Sequence, residues 1–329
     1  MPFTADSVDV LVLVENQVDM LLADQDPGQG DLHCVSRTGL VEHFDPKRVP
    51  PVAENGLSLL VTVRRGRYTS RVVFDVGLTG TALAHNLAAL GEDPTTVDSV
   101  VISHGHPDHY GGVHRFLELA GRPVPVATHP DAFLPRYAVM GDGRTAGFYN
   151  AAFNAPQIED EGGRLVLSRQ AVDLGWGMTT TGEIPREVEF EGPRPPRTPG
   201  GPGLYQVSPD GSFALDEVWD EQGLVIDVAG EGLVVLTGCA HAGVVNTVRQ
   251  AQRLRGDRPV RAVMGGFHLG FPTTPRENVA RTVTALREHE VRTVMPMHCS
   301  GLAAHTAFST DLADTYVQPA VGTVLHFGA

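Results

Sequence analysis

Within six positions the chain carries four side chains of metal-binding type, His104, His106, Asp108 and His109, in the run Ser103-His104-Gly105-His106-Pro107-Asp108-His109. Imidazole nitrogens and a carboxylate at this density suit a borderline divalent ion such as zinc. An apolar lead-in, Val100-Val101-Ile102, and the pair Gly111-Gly112 behind it mark the run as a loop at the end of a buried strand. His104 and His106 can turn both rings onto one ion, which leaves Asp108 and His109 to face a second. A two-metal site of this kind makes hydroxide and clamps both oxygens of a displacement. The alternative is a surface histidine loop, but this order of residues directly after a buried-type strand is hard to reach by chance.

Three further histidines stand just beyond apolar segments. A hairpin over 224–228 and 232–237 ends in Thr237-Gly238-Cys239-Ala240-His241-Ala242-Gly243. A strand over 261–264 ends in Gly265-Gly266-Phe267-His268-Leu269, and one over 292–295 leads to Met297-His298-Cys299. Loops at strand ends can be polar while the strands stay buried, which is where sheets covered by helices build their sites.

The elements that must position these loops are legible from periodicity. Residues 8–14 and 56–63 read as strands, and 71–75 as the hairpin partner of the second. A helix is expected over 79–90 with Gly91 as its cap, then a strand over 97–102 that delivers the histidine loop. Residues 113–120 predict a helix and 124–127 a strand that ends at His129. Helices over 244–254 and 276–290, a short one near 305–312 and a strand over 322–327 follow. His85, His114 and His129 are not expected to be ligands. Residues 23–51 read as a long surface loop. The middle, about 130–222, reads as a long irregular insertion or lid, with a Gly- and Pro-rich stretch over 192–203.

At 329 residues the chain can bury a full core. A formal charge of -14 argues against nucleic-acid binding, which needs a basic face. It does not argue against an anionic small molecule, because metal ions supply local positive charge. Cys34, Cys239 and Cys299 are too few for a disulfide framework and read as reduced thiols. The first nine residues have no basic stretch, and no apolar run reaches the length of a membrane span, so a soluble cytoplasmic protein is expected, with no membrane partner. Nothing in the sequence speaks to oligomeric state.

The histidine loop, with Asp75-Val76-Gly77 upstream of it, resembles the metallo-β-lactamase superfamily. The resemblance implies an α/β fold of αββα type: a sandwich of two mixed β-sheets with helices on both outer faces and the site at one edge. Further segments are similar to the dihydropterin synthase-like branch of that superfamily: Glu54-Asn55-Gly56-Leu57-Ser58, Thr181-Gly182-Glu183-Ile184-Pro185-Arg186, Gly238 to Gly243, Gly265 to Leu269 and Met297-His298-Cys299. These matches span most of the chain, which is read as one domain over 1–329. One departure stands out. The superfamily has a metal-bridging aspartate after a Thr-Gly pair, and here Thr237-Gly238 is followed by Cys239. Either Cys239 takes that place, or water alone bridges, or the second ion is weakly held.

The resemblance assigns His104, His106 and His241 to one ion, with His268 as the competitor of His241, and Asp108, His109 and His298 to the other. Asp75 is expected to orient a metal-bound histidine. Asp108 is the expected catalytic residue, holding the metal-bound water and shuttling its proton. Glu183 and Arg186 are candidates for substrate contact, the arginine as a phosphate clamp. Two divalent ions are implied: zinc, with manganese or iron as alternatives. The implied function is a metal-dependent enzyme acting on a phosphorylated or pterin-like small molecule. A hydrolase would use metal-bound hydroxide. A synthase of that branch would help a leaving group depart from a pterin methyl carbon while an aryl ring attacks. A non-catalytic metal-binding or sensing module is the alternative of another class.

Overall fold

The computed structural model describes residues 3–24, 35–36, 49–147, 152–191, 200–271 and 274–328. In chain order the strands are β1 (Ser7–Val14), β2 (Val35–Ser36), β3 (Ser58–Arg65), β4 (Tyr68–Phe74), β5 (Ser99–Val101), β6 (Val124–Thr128), β7 (Arg136–Val139), β8 (Thr145–Gly147) and β9 (Gly163–Leu167). They continue with β10 (Asp173–Gly175), β11 (Met178–Thr180), β12 (Gly203–Val207), β13 (Phe213–Leu215), β14 (Leu224–Val228), β15 (Gly232–Thr237), β16 (Val260–Gly266), β17 (Thr293–Met297) and β18 (Val324–Gly328). The helices are α1 (Gly80–Leu90), α2 (Pro107–Tyr110), α3 (Val113–Ala120), α4 (Ala155–Asp160), α5 (Val244–Arg255), α6 (Arg276–Glu288) and α7 (Gly301–Asp311).

β1 shows why a sandwich forms. Its residues are apolar at nearly every position and buried on both faces, so each face must be covered. Val8, Val10 and Val12 point into a core shared with Leu59, Val61, Phe74, Ile226, Leu236, Met264 and Met295. Leu11 and Leu13 point the other way, against Leu83 and Leu87 of α1 and Phe116 and Leu117 of α3. The second sheet repeats this on its outer side, where Val235, Val263 and Val294 meet Val248 of α5, Val283 and Leu286 of α6 and Phe308 of α7. Each fully buried side chain of this size contributes roughly 1.5–3 kcal/mol of transfer free energy.

One sheet runs β2-β18-β1-β3-β4-β5-β6-β9, and the facing sheet β10-β11-β14-β15-β16-β17. Both are mixed: β4, β5, β6 and β9 pair in parallel within the first, and β15, β16 and β17 in parallel within the second. The architecture is the αββα sandwich expected. Parallel strands need crossovers, and here they carry α1, α3, α5 and α6, with β7, β8 and α4 on the connection from β6 to β9. All the parallel strands therefore point the same way within their sheet, and their C-terminal ends deliver the polar loops together.

Two local expectations change. β5 is only three residues long, because Pro94–Thr96 form a 3-10 turn before it. The middle of the chain is more regular than its composition suggests: β9 extends the first sheet, β10 and β11 extend the second, and β7, β8, β12 and β13 form an antiparallel sheet of their own. Residues 192–199 of the Gly- and Pro-rich stretch, most of the 23–51 segment and Cys34 lie outside the described residues. Among the described residues, no helix is long and apolar enough to cross a membrane.

Candidate metal centre

The loops after β5, β15, β16 and β17 meet, and two groups of three ligand atoms result. The ligand atoms of His104, His106 and His241 lie within 4.8 Å of one another, and so do those of Asp108, His109 and His298. Cys239 stands between them. Its sulfur groups at the same spacing with His104 and His109, with His241 and His268, and with His298 and Cys299. It is thus His241 that comes to His104 and His106, while His268 sits one step out, its ring 4.1 Å from that of His241.

Hydrogen bonds fix which nitrogens are free. Asp75 accepts from the Ser103 amide through Oδ1 at 2.7 Å, and through Oδ2 from the Ser103 hydroxyl and His109 Nδ1, each at 2.7 Å. The Ser103 hydroxyl spends its one hydrogen on the bond to Asp75, so it accepts from His104 Nδ1 at 2.9 Å. Both imidazoles therefore turn Nε2 toward the site; at His109, where the neighbouring carboxylates favour the charged ring, that nitrogen would give up its proton on binding an ion. His104 Nε2 and His241 Nε2 are buried without a hydrogen-bond partner among the described residues, and His109 Nε2 faces the Cys239 sulfur at 3.1 Å. Buried bare nitrogens aimed at one another are costly unless a cation completes them, so the donor set fits divalent ions. His298 is fixed from β1: Asn16 Oδ1 lies 3.3 Å from its Nδ1, Asn16 Nδ2 donates to its carbonyl, and the Glu15 carboxylate accepts its amide. Its Nε2 lies 3.1 Å from Asp108 Oδ2.

The two groups differ in charge. Burial and the neighbouring imidazoles push His104 and His241 well below the usual histidine range, so both are neutral. Burial also disfavours a charged His109, but Asp75 and Asp108 outweigh it and raise the imidazole to about 9. Asp108 is held below the ordinary carboxylate range by His109 and His298 in spite of its burial. Burial likewise raises Cys299, but Cys239, His268 and His298 more than reverse this and favour its thiolate; Cys239 is pushed up by burial and by that neighbour.

The backbone is bent to make this arrangement. Asp75, Ala240, His268 and His298 have φ values of 59°, 56°, 50° and 50°. Left-handed conformations cost non-glycine residues about 1–3 kcal/mol each and persist where surrounding structure imposes them. At Gly238 a β-carbon would overlap the Ser103 side chain, so the β15 loop can approach the histidine loop only as glycine.

Of the two residues proposed for substrate contact, Glu183 is engaged with His129 Nε2 and Arg169 Nη1, both at 3.0 Å. Arg186 stacks over Trp219, 4.1 Å from ring centre to guanidinium carbon, and its Nη2 donates to the carbonyls of Glu217 and Val218. Its Nε and Nη1 are buried without a hydrogen-bond partner among the described residues. His129 instead caps a turn, accepting from the Asp131 amide. His114 pairs with Glu161, and His85 Nε2 lies 2.8 Å from the Pro50 carbonyl.

Sequence reasoning missed the segment Asp216-Glu217-Val218-Trp219-Asp220-Glu221-Gln222. Asp220 Oδ2 accepts the Gly105 amide at 2.7 Å, and Gln222 N donates to Ser103 O at 2.9 Å. Glu221 accepts the His241 and Ala242 amides at 2.7 and 2.6 Å, and burial raises its carboxyl to about 6. Burial also raises Asp216, but His106 and Arg136 outweigh it and hold it down to about 2. One acidic strap thus grips the histidine loop and the His241 loop together. Its signal was four carboxylates in six residues with no lysine or arginine among them.

A sandwich with a His-x-His-x-Asp-His loop at its parallel strand ends defines a class. Residues 54–252 match the model of the metallo-beta-lactamase superfamily, and the chain belongs to that superfamily. It is an enzyme. At 31% identity over 288 residues it is similar to the 7,8-dihydropterin-6-methyl-4-(beta-D-ribofuranosyl)-aminobenzene-5'-phosphate synthase of Methanocaldococcus jannaschii, covering 88% of this chain and 95% of that one. An uncharacterized protein of the same organism is 28% identical over 280 residues. Among solved structures the chain is similar in fold to a metal-dependent hydrolase of the beta-lactamase superfamily, with a TM-score of 0.68, 24% identity, and 98% and 100% of the two chains covered.

Proposed function

We propose that this chain is a binuclear metal-dependent enzyme acting on a phosphorylated or pterin-like small molecule. The observation that carries the reading is the pair of facing ligand groups, with the buried, unpartnered Nε2 atoms of His104 and His241. His104, His106 and His241 would hold one ion, and Asp108, His109 and His298 the other, with Cys239 as the candidate bridge between them. When bound, two zinc, manganese or iron ions supply Lewis acidity toward a phosphoryl or leaving oxygen and make water acidic near neutral pH. The side chains do the rest. Asp75 holds His109 and, through Ser103, His104 in their ligating tautomers. Asp108 lies between His109 and His298 with its side chain 27% exposed, and is placed to hold and move a proton. Arg186 has two unused donors for an anionic group.

Hydrolysis is the first reaction to test, because water is its only co-reactant. The similarity to the synthase favours a second reading, in which the aryl ring of a ribofuranosyl aminobenzene phosphate attacks the methyl carbon of a dihydropterin, a diphosphate leaves that carbon and the ring gives up a proton. The test has two parts. Metal analysis with anomalous scattering is expected to find two ions per chain; one ion held by His104, His106 and His241 alone would sink the binuclear claim. The loaded protein is then assayed against phosphoesters and, separately, against a dihydropterin bearing a diphosphate on its methyl carbon together with the aminobenzene acceptor. Condensation product selects the transferase, and phosphoester turnover without it selects the hydrolase.

A further inference from the structure

We propose that Asp216 is a positioning residue for His106, and that the buried Arg136 holds Asp216 in place. The small sheet of the middle segment thereby sets the geometry of the histidine loop. This rests on the reading of that loop as a metal centre.

Arg136 opens β7 and is completely buried. Its guanidinium is divided between two carboxylates. Nε donates to Asp216 Oδ2 at 2.8 Å and Nη2 to Asp220 Oδ1 at 2.7 Å, while Nη1 donates to the Ala132 carbonyl at 3.2 Å. Each carboxylate then reaches a consecutive residue of the histidine loop. Asp220 Oδ2 takes the amide of Gly105, and Asp216 Oδ2 lies 3.5 Å from His106 Nε2. The remaining Asp216 oxygen accepts the Val218 amide at 3.0 Å. The loop is pressed against this cluster: a β-carbon on Gly105 would overlap both the Ala132 carbonyl and the Arg136 guanidinium.

Such a cluster is a poor device for stability alone. Two buried carboxylates on one buried guanidinium carry a net negative charge, and apolar side chains of the same volume would often hold the elements together as well. The placement makes sense if the extra charge acts on something. Asp216 is an acceptor only, so it favours the tautomer of His106 with the proton on Nε2. His104 and His109 are fixed the opposite way, through Nδ1, by Ser103 and Asp75. Asp75, through Ser103, holds His104 by Nδ1, while Asp216 faces His106 at Nε2, so the two carboxylates bias the neighbouring imidazoles of one loop toward opposite tautomers.

The full-length protein, stripped with a chelator and titrated with zinc and then cobalt(II), tests this. The Asp216→Ala variant should lose about 10–100-fold in affinity for one of the two ions and shift the visible absorption of the cobalt protein. The Asp216→Asn variant keeps an acceptor oxygen and should recover most of the affinity. A folded Asp216→Ala protein with wild-type affinity and an unshifted cobalt spectrum overturns the proposal. If that variant does not fold, Arg136→Lys decides: a single ammonium cannot span both Asp216 and Asp220, so an altered cobalt spectrum supports the proposal, and a spectrum and affinity identical to wild type overturn it. Wild-type protein that takes up no ion is a different result, since it removes the metal reading itself and this inference with it.

Discussion

The two halves of the centre are made of different electrostatic material. His104, His106 and His241 form an all-imidazole group, with His104 and His241 kept neutral by burial, braced from the middle segment by Asp216, Asp220 and Glu221. Asp108, His109 and His298 contain a carboxylate that is 27% exposed in its side chain, and they are braced by Asp75 and by Glu15 and Asn16 at the end of β1. The first group is buried and neutral, and would hold an ion by the direction of its lone pairs. The second contains the partly exposed Asp108 carboxylate, so it would be the side where exchange and substrate entry are expected. A neutral cage and a carboxylate-bearing doorway would be complementary ways to bind two cations.

The largest effect should come from His104→Ala. His104 belongs to the imidazole group and also faces His109 and Cys239, so its loss should empty both positions. Turnover should drop on the order of 10³-fold, the size of losing several kcal/mol of Lewis-acid stabilisation. Metal content that stays at two ions per chain breaks the idea of a shared anchor. Asp108→Asn should act on one half only. One ion is retained, and turnover falls on the order of 10²-fold, as for a lost proton-transfer group; an equal loss from both positions in elemental analysis would show that the halves are not separable. Asn16→Ala should weaken only the second ion, by roughly tenfold, because the His298 ring loses its orientation. Calorimetric titration resolves the two affinities, and a change confined to the tighter ion counts against the assignment.

The smallest effect concerns the frame behind the imidazole group. Glu191 accepts the Val245 and Asn246 amides at the start of α5, directly after the His241 loop, and burial raises its carboxyl to about 7. The folded chain keeps a proton there that the unfolded chain has released. This stabilising contribution is complete below about 4.5, the unfolded value, and is lost as pH rises through about 7. The loss is at most about 3 kcal/mol. Glu191→Gln mimics the protonated form, so its melting temperature should fall less than that of the wild type between pH 6 and 8. Parallel melting curves of the two proteins would show that Glu191 does not titrate in this range.

The histidine loop was legible because its ligands are adjacent in sequence, and the strand-end histidines were legible because a buried strand followed by a polar residue is a pattern. What supports them was not. Asp216 to Gln222 drew no reading, since nothing local says that Arg136, some 80 positions earlier, pairs with two of its carboxylates. Glu15 and Asn16 look like the polar end of a strand because their partner is His298. Conversely Glu54, part of a segment that carried the resemblance, does no visible chemistry: it accepts the Leu78 and Thr79 amides at 2.9 Å and closes the turn after Asp75-Val76-Gly77. The middle segment hid its strands because they are short and separated by glycine and proline, which periodicity cannot bridge.

The contact between β1 and His298 has a consequence for how the enzyme is made. Asn16 and His298 are separated by 282 positions. A nascent chain emerging from the ribosome carries the complete His104-to-His109 loop long before His298 exists, so for most of its synthesis it exposes imidazole and carboxylate ligands without a closed site. The group of Asp108, His109 and His298 is complete only after β17 has folded back beside the end of β1. Contacts of such long sequence separation form slowly. If that group holds an ion, its loading is tied to the end of biogenesis, and a chain cut short before residue 298 would carry at most the imidazole half.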